Sequence, residues 1–397
     1  MSGVHQFVPM LHVGDAVGRH TLRLRDLLRE RGVDSEIYVE RGDPETVHAT
    51  RLARSYPDGA RPGDVLVYQF ATESVLVPWL AARTEILVVN YHNVTPPESF
   101  APWDNALARA QLRARGQLAV LAGRSTLAVA VSEFNRADLT AAGYQATAVV
   151  PPMVELAERA ALAPGDGNAG PAGPATTDTG SGDVAEDGSP APVGEWSGSR
   201  WLMVGRLAPN KAVEEVVDAL FLYRRHHDPG AGLLVIGRPA VGSYVQALHE
   251  HVAELGLVGA VRFAGRVDDR ELATAYRRAG VLVVASEHEG FCLPVVEAMV
   301  HDLPVVAYRE GAVPEVLGDA GLLVDRNDPW SLATAVHRLA SDERLRAGLV
   351  SAGRQRFGSL GLAGAGTRLV ELLLAVRDRR PLPPGVPTGG PQAASTA

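Results

Sequence analysis

At 397 residues, 46% hydrophobic and 21% charged, the chain holds material for more than one core and has a globular rather than a disordered composition. A net charge of -8 gives no global attraction to nucleic acid or anionic lipid, and a lone cysteine, Cys292, excludes an intrachain disulfide or a cysteine-based zinc cluster. The apolar runs are strand-sized, short of the roughly 18 residues of a membrane span, and MSGVHQFVPM has no basic n-region, so the expectation is a cytoplasmic protein with no integral span.

In chain order, HQFVPML (5–11) reads as a strand, followed by GDAVG and an amphipathic helix, HTLRLRDLLRERG, closed by Gly32. SEIYV, DVLVYQF, EILVVNYH, LAVAVS and TAVVPP follow, separated by helical segments such as 105–121. Near-continuous apolar strands alternating with helices predict a parallel sheet covered on both faces, a first domain over residues 1–155. Residues 156–199 break the pattern. From 161 to 199 there are nine glycines, five prolines, six acids and no Arg or Lys, a composition that cannot offset its ordering entropy and predicts a flexible insertion. The alternation resumes with WLMVG, GLLVIG, VRFAG, VLVVAS, PVVAY and GLLVD, a second doubly wound domain over 200–365. A terminal amphipathic helix within 366–380 and a Pro/Gly/Ala tail, 381–397, complete the reading.

Ligands of open α/β sheets bind beyond the carboxyl ends of the strands, so the residues after each strand carry the chemistry. WLMVG is followed by RLAPNK, which holds Lys211, the single lysine of the chain. Arg206 leaves the strand and Lys211 falls where the next helix begins. Two cations beside a helix N-terminus suit a diphosphate, because the helix adds free N–H groups and a positive dipole end. The other dense stretch is SEHEGFCLPVVEAM (286–299). Here Glu289-Gly290-Phe291 reads as a turn, Pro294 suits the first helical position, and Glu297 falls in the first helical turn. The N–H groups of Phe291, Cys292 and Leu293 then border a cleft that Gly290 lets a ligand approach, and the two carboxylates suit the hydroxyls of a sugar or ribose. Cys292 reads as small buried filler. No G-x-G-x-x-G follows a strand, against a Rossmann dehydrogenase, and no D-x-D or ligand cluster calls for a metal.

VGRLAPNK, EGFCLPVVE (an E-x7-E element), LPVVAYREGAVPEV and AGLLVD, in this order, resemble the nucleotide-sugar domain of retaining family 4 glycosyltransferases. The resemblance implies the GT-B fold: α/β, two facing Rossmann-like doubly wound parallel-sheet domains, with donor on the C-terminal side and acceptor on the N-terminal side. It implies that Arg206 and Lys211 bind the donor diphosphate, that Glu297 holds the ribose hydroxyls, and that Glu289 contacts the donor sugar. More loosely, the first half resembles the family's acceptor domain. GDAVGRH, with Gly14, takes the place of the loop that approaches the donor phosphate, and His92 in NYHNVTPPE that of a histidine reaching the sugar. Asp302 stands where many relatives have glycine, a position an aspartate tolerates in the left-handed region. The implied partners are a nucleotide-diphosphate sugar and a glycan or lipid-linked acceptor, with peripheral membrane contact left open and no cofactor or metal required. The YHNVTPPE region resembles enzymes of polysaccharide assembly, and that resemblance implies GDP-mannose as donor. An epimerase of the same fold and a non-catalytic sugar-nucleotide-binding protein are the alternatives.

Overall fold

The computed structural model describes residues 2–12, 15–59, 61, 63–154, 197–326, 328–383 and 386. The predicted insertion and tail therefore lie almost wholly outside the described residues. The described chain forms two parallel-sheet α/β units. By Cα packing the first comprises Met1–Val154, Glu289–Phe291 and Leu360–Ala397, and the second Glu155–His288 and Cys292–Ser359.

The first unit holds β1 (Val4–Val8), β2 (Ile37–Val39), β3 (Arg51–Leu52), β4 (Val65–Phe70), β5 (Ile86–Tyr91), β6 (Leu127–Ala130) and β7 (Thr147–Val149). They pair in parallel in the order β3-β2-β1-β4-β5-β6-β7. Its helices include α1 (Ala16–Glu30), α2 (Leu76–Ala82), α3 (Pro97–Phe100), α4 (Asn105–Ala122) and α5 (Glu133–Ala141). Strand residues alternate between two cores. Phe7, Leu66, Tyr68, Phe70 and Tyr91 face α2 and α4. Val4, Val65, Val67 and Val88 face α1 and the last helix of the chain.

The second unit holds β8 (Arg200–Val204), β9 (Gly232–Ile236), β10 (Val261–Gly265), β11 (Val281–Val284), β12 (Val305–Tyr308) and β13 (Leu322–Val324). They too are parallel, in the order β10-β9-β8-β11-β12-β13. With them come α6 (Val213–His226), α7 (Gly242–Glu254), α8 (Asp269–Arg278), α9 (Leu293–Val300), α10 (Val313–Leu317), α11 (Pro329–Ser341) and α12 (Glu343–Ser359). Strand order reverses between β1 and β4 in one sheet and between β8 and β11 in the other. At such switch points the neighbouring loops diverge and leave a crevice at the strand ends.

The last helix, α13 (Leu362–Arg377), starts earlier than its amphipathic core suggested and returns to the first unit, packing on α1. Residues 343–377 include a window long and apolar enough to cross a membrane by composition alone. Two facts account for that character. Gly361 breaks the stretch at φ 69°, and Leu369, Val370, Leu372, Leu373 and Val376 are spent on the first unit's core.

Candidate functional site

The switch point of the second sheet is flanked by the two stretches singled out in the sequence. After β8, Arg206 is exposed, and a 3-10 turn, Pro209–Lys211, precedes α6. Lys211 runs back along the end of β8: a Cβ built on Gly205 would lie 3.5 Å from its Cε. Ala212, left-handed at φ 45°, turns the chain into the helix. The expectation of free N–H groups at this helix start needs correction. The Val213 N–H donates to the Tyr244 hydroxyl at 2.9 Å, and that hydroxyl donates to the Glu214 carboxylate. With Glu214 and Glu215 in its first turn, α6 offsets much of its own dipole. Burial raises the Glu214 pKa above the ordinary carboxylate range. The positive character of this corner therefore rests on Arg206 and Lys211.

Asn210, 3% exposed, joins this turn to the loop after β11. Its side-chain amide donates to the His288 carbonyl at 3.2 Å, and its own carbonyl accepts the Glu287 N–H at 2.9 Å. Arg326, just past β13, bridges Glu215 on α6 and Glu287 on the same loop, at 2.9 Å and 2.6 Å. Three strand-end segments are thereby tied together. Sequence reading missed both residues, although Asn210 lies inside the APNK stretch beside the lysine.

The E-x7-E element departs from expectation at its helix start. The residue before the helix, Cys292, is left-handed at φ 69° and buried as the cap of α9. Helix α9 begins at Leu293, so Pro294 is second and Glu297 fifth, beyond the first turn. Close packing also requires glycine at 290. A Cβ there would lie 2.7 Å from both the His92 carbonyl oxygen and Asn93 Cβ, and its own carbonyl accepts the Ser132 hydroxyl at 2.7 Å. All of these residues belong to the first unit, which takes in Glu289–Phe291.

Phe291 is buried, while Glu289 and Leu293 are half-buried. Glu297 is 8% exposed and accepts a hydrogen bond of 2.7 Å from the hydroxyl of Tyr276, in the last turn of α8. Tyr276 stacks on His301 with ring centroids 5.4 Å apart, and the three line a small cavity between α8 and α9. Tyr276 had no signal in the sequence; in a helix facing a sheet it reads as ordinary core. Thus Glu289 counts with the first unit and Glu297 with the second. Asp302 adopts φ 56°, as its place after a helix end required, and pairs with Arg354 at 2.7 Å.

In the first unit, Gly14 lies outside the described residues. The second glycine of GDAVG, Gly18, is in α1, where a Cβ would come 1.7 Å from the His12 carbonyl oxygen; only glycine fits. His92 follows β5, half-buried, with Nε2 2.7 Å from the side-chain oxygen of Gln69. Gln69 in turn donates to Gln6 at 2.7 Å, and Asn90 donates to Gln69 and to His20 Nε2, each at 2.8 Å. The Met153 N–H approaches His20 Nδ1 at 3.3 Å. A neutral imidazole accepts at one nitrogen only, so the shorter contact with Asn90 takes the lone pair. Burial lowers the His20 pKa to about 4, and burial, with His20 nearby, lowers that of His92 well below its ordinary value. Both rings are neutral at neutral pH. Among the described residues, no group of three or more His, Cys, Asp or Glu is arranged to hold a metal ion.

Two parallel-sheet units, with polar clusters at the strand ends beside each switch point, define a GT-B chain. Residues 199–356 match the family described as Glycosyl transferases group 1, so the second unit carries a domain of that family. The chain is 33% identical over 147 residues to the D-inositol 3-phosphate glycosyltransferase of Corynebacterium glutamicum, covering 36% of this chain and 35% of that protein. With its Acidothermus cellulolyticus counterpart it shares 37% identity over 157 residues, 38% of this chain and 35% of the other. The chain thus spans about a third of the length of these relatives. Among solved structures, sucrose-phosphate synthase from Thermosynechococcus elongatus superposes with a TM-score of 0.69 at 18% identity, covering 96% of this chain and 100% of that one. Anabaena HepE, solved with UDP and glucose, gives 0.68 at 18% identity, covering 94% and 100%. At this identity the likeness is one of fold.

Proposed function

We propose that the protein is a retaining glycosyltransferase that moves a hexose from a nucleotide-diphosphate sugar to a hydroxyl acceptor in glycan, polysaccharide or glycolipid assembly in the cytoplasm. The observation that carries this reading is the pair of strand-end segments at the β8/β11 switch point. One brings Arg206 and Lys211, the other Glu289 and Glu297, within the stretch that matches the group 1 family. In this reading Arg206 and Lys211 hold the diphosphate and stabilise the charge that develops on it as the glycosidic bond breaks. Glu297, oriented by Tyr276, takes the ribose hydroxyls. Glu289 and His92 act on the sugar. The acceptor hydroxyl attacks from the face the diphosphate leaves, its proton passing to the departing phosphate oxygen, so configuration is retained.

Arginine and lysine supply the charge that a divalent ion would otherwise bring, so turnover is expected to survive excess EDTA. Activity lost to chelation and restored by Mg²⁺ or Mn²⁺ would count against the clamp. The names of the relatives suggest a phosphorylated polyol as one acceptor to try. The HepE complex and the NYHNVTPPE stretch suggest UDP- and GDP-hexoses respectively as donors. Thermal-shift screening of nucleotide sugars, followed by transfer assays with the stabilising donor, tests the proposal. Lys211→Ala is expected to cut turnover by about two orders of magnitude, the scale of one lost transition-state charge contact. Stabilisation by a nucleotide sugar without transfer would favour a binding protein. Release of an isomerised sugar without acceptor would favour an epimerase.

A further inference from the structure

The polar chain in the first unit has one orientation, and that orientation reaches His92. Along the face of the first sheet that packs on α1, Val4, Val65, Val67 and Val88 give way to Gln6 in the middle of β1 and to Gln69 and Asn90 near the carboxyl ends of β4 and β5. All three amides are at most 1% exposed. Three amides are costly to bury unless each is fully hydrogen-bonded, so the arrangement calls for an explanation other than packing.

An amide can be turned end for end, but a backbone carbonyl only accepts. The Gln6 side chain lies 2.9 Å from the Thr21 carbonyl oxygen, which fixes its NH₂ on that side and its oxygen on the other. Gln69, 2.7 Å from that oxygen, must present its own NH₂ there. Its oxygen is thereby turned toward Asn90 and toward His92 Nε2, 2.7 Å away. The Asn90 side-chain nitrogen also lies 3.5 Å from His92 Nε2, but its two hydrogens are taken at 2.8 Å by Gln69 and His20, so the oxygen at 2.7 Å decides and that ring nitrogen carries the proton. We propose that Gln69, oriented by Gln6 from the Thr21 carbonyl, is a positioning residue for His92: it holds the imidazole proton at Nε2 and leaves the lone pair at Nδ1. His92 then meets a bound sugar as an acceptor for a hydroxyl proton, not as an acid; this last step rests on the glycosyltransferase reading, whereas the tautomer does not.

The test is nitrogen NMR on the full chain with ¹⁵N-labelled histidine, without ligand, the His92 ring signals being identified by their loss in His92→Gln. Expected at neutral pH is a protonated Nε2 and an unprotonated Nδ1. The reverse tautomer, or a charged ring, overturns the proposal in the wild-type protein alone. Gln69→Met is expected to leave a mixture of the two tautomers. Gln69→Glu keeps an acceptor at Nε2 and adds a charge, so it should keep the tautomer while moving the His92 titration to higher pH. A tautomer unchanged in a folded Gln69→Met protein overturns the positioning role. If that variant fails to fold, judged by far-UV circular dichroism and the His20 signals, the wild-type and Gln69→Glu measurements decide. Because no substrate is present, absence of glycosyl transfer would fault the proposed reaction and leave the tautomer result standing.

Discussion

Glu289 and Glu297 are eight positions apart and do different work by virtue of where each is anchored. Glu297 is buried in α9 and held by Tyr276, so its geometry exists before any reaction. Glu289 is half-buried on a loop segment that counts with the first unit. Glu297→Gln is therefore expected to weaken binding of the bare nucleoside diphosphate. Glu289→Gln is expected to leave that affinity nearly unchanged while lowering turnover. Calorimetry with the diphosphate beside transfer kinetics separates them, and equal losses of affinity in both variants would show the division to be wrong. A second prediction at this scale concerns His20. Burial holds its folded pKa near 4, below the unfolded value of 6.5, so the unfolded chain binds a proton that the folded chain refuses. Its contribution to stability is complete above about pH 6.5 and is lost as pH falls from there toward about 4. Between pH 7 and pH 5 this single group costs about 2 kcal/mol. Urea unfolding at the two pH values should show that loss reduced in His20→Gln. An identical loss in the variant would assign the effect to other groups.

The strands after which the site residues lie were legible because a strand buried on both faces is written as an unbroken apolar run. VLVV and VVAY fall on β11 and β12 almost to the residue. The two-residue β3 was not legible, having no run to read, and α13 starts four positions before the predicted 366, its early contacts made by the small residues Ala365 and Gly366. The left-handed turns at Ala212 and Cys292 were hidden for a similar reason: neither residue type announces positive φ, and tertiary contacts impose it. The buried amides were visible as single polar letters in HQFV, VYQF and VVNY, but their mutual contact depends on strand register, which one sequence does not show. Asn210 belongs to this class. Its side chain links the Lys211 turn to the loop bearing Glu289, so Asn210→Ala leaves a buried carbonyl without its donor. The expected cost is about 1–3 kcal/mol of stability, with a raised donor KM as the loop loosens. A variant with wild-type melting and wild-type donor KM would show that the link through the Asn210 carbonyl suffices.

Across the molecule, the chain returns at its end to the unit in which it began, and this makes the final helix part of the first core rather than an appendage of the second. Leu369, Val370, Leu372, Leu373 and Val376 of α13 are each 6% exposed or less and share a cluster with Val4, Leu24, Leu28, Val65 and Val88. Burial of a large aliphatic side chain stabilises by about 1.5–3 kcal/mol, so removing five such side chains forfeits on the order of 10 kcal/mol. That is comparable to the whole stability of an ordinary domain, about 5–15 kcal/mol. A chain ending at Ser359 would keep every described strand of both sheets and every residue that matches the group 1 family. It is nevertheless expected to lose the first unit, uncovering one face of its sheet while the second unit stays folded. Limited proteolysis reads this directly: residues 2–154 should become susceptible in the truncated chain and residues 197–359 should stay protected. Protection of residues 2–154 equal to that in the full chain would mean that α1 alone covers that face, and that the apolar side of α13 is buried there without being needed.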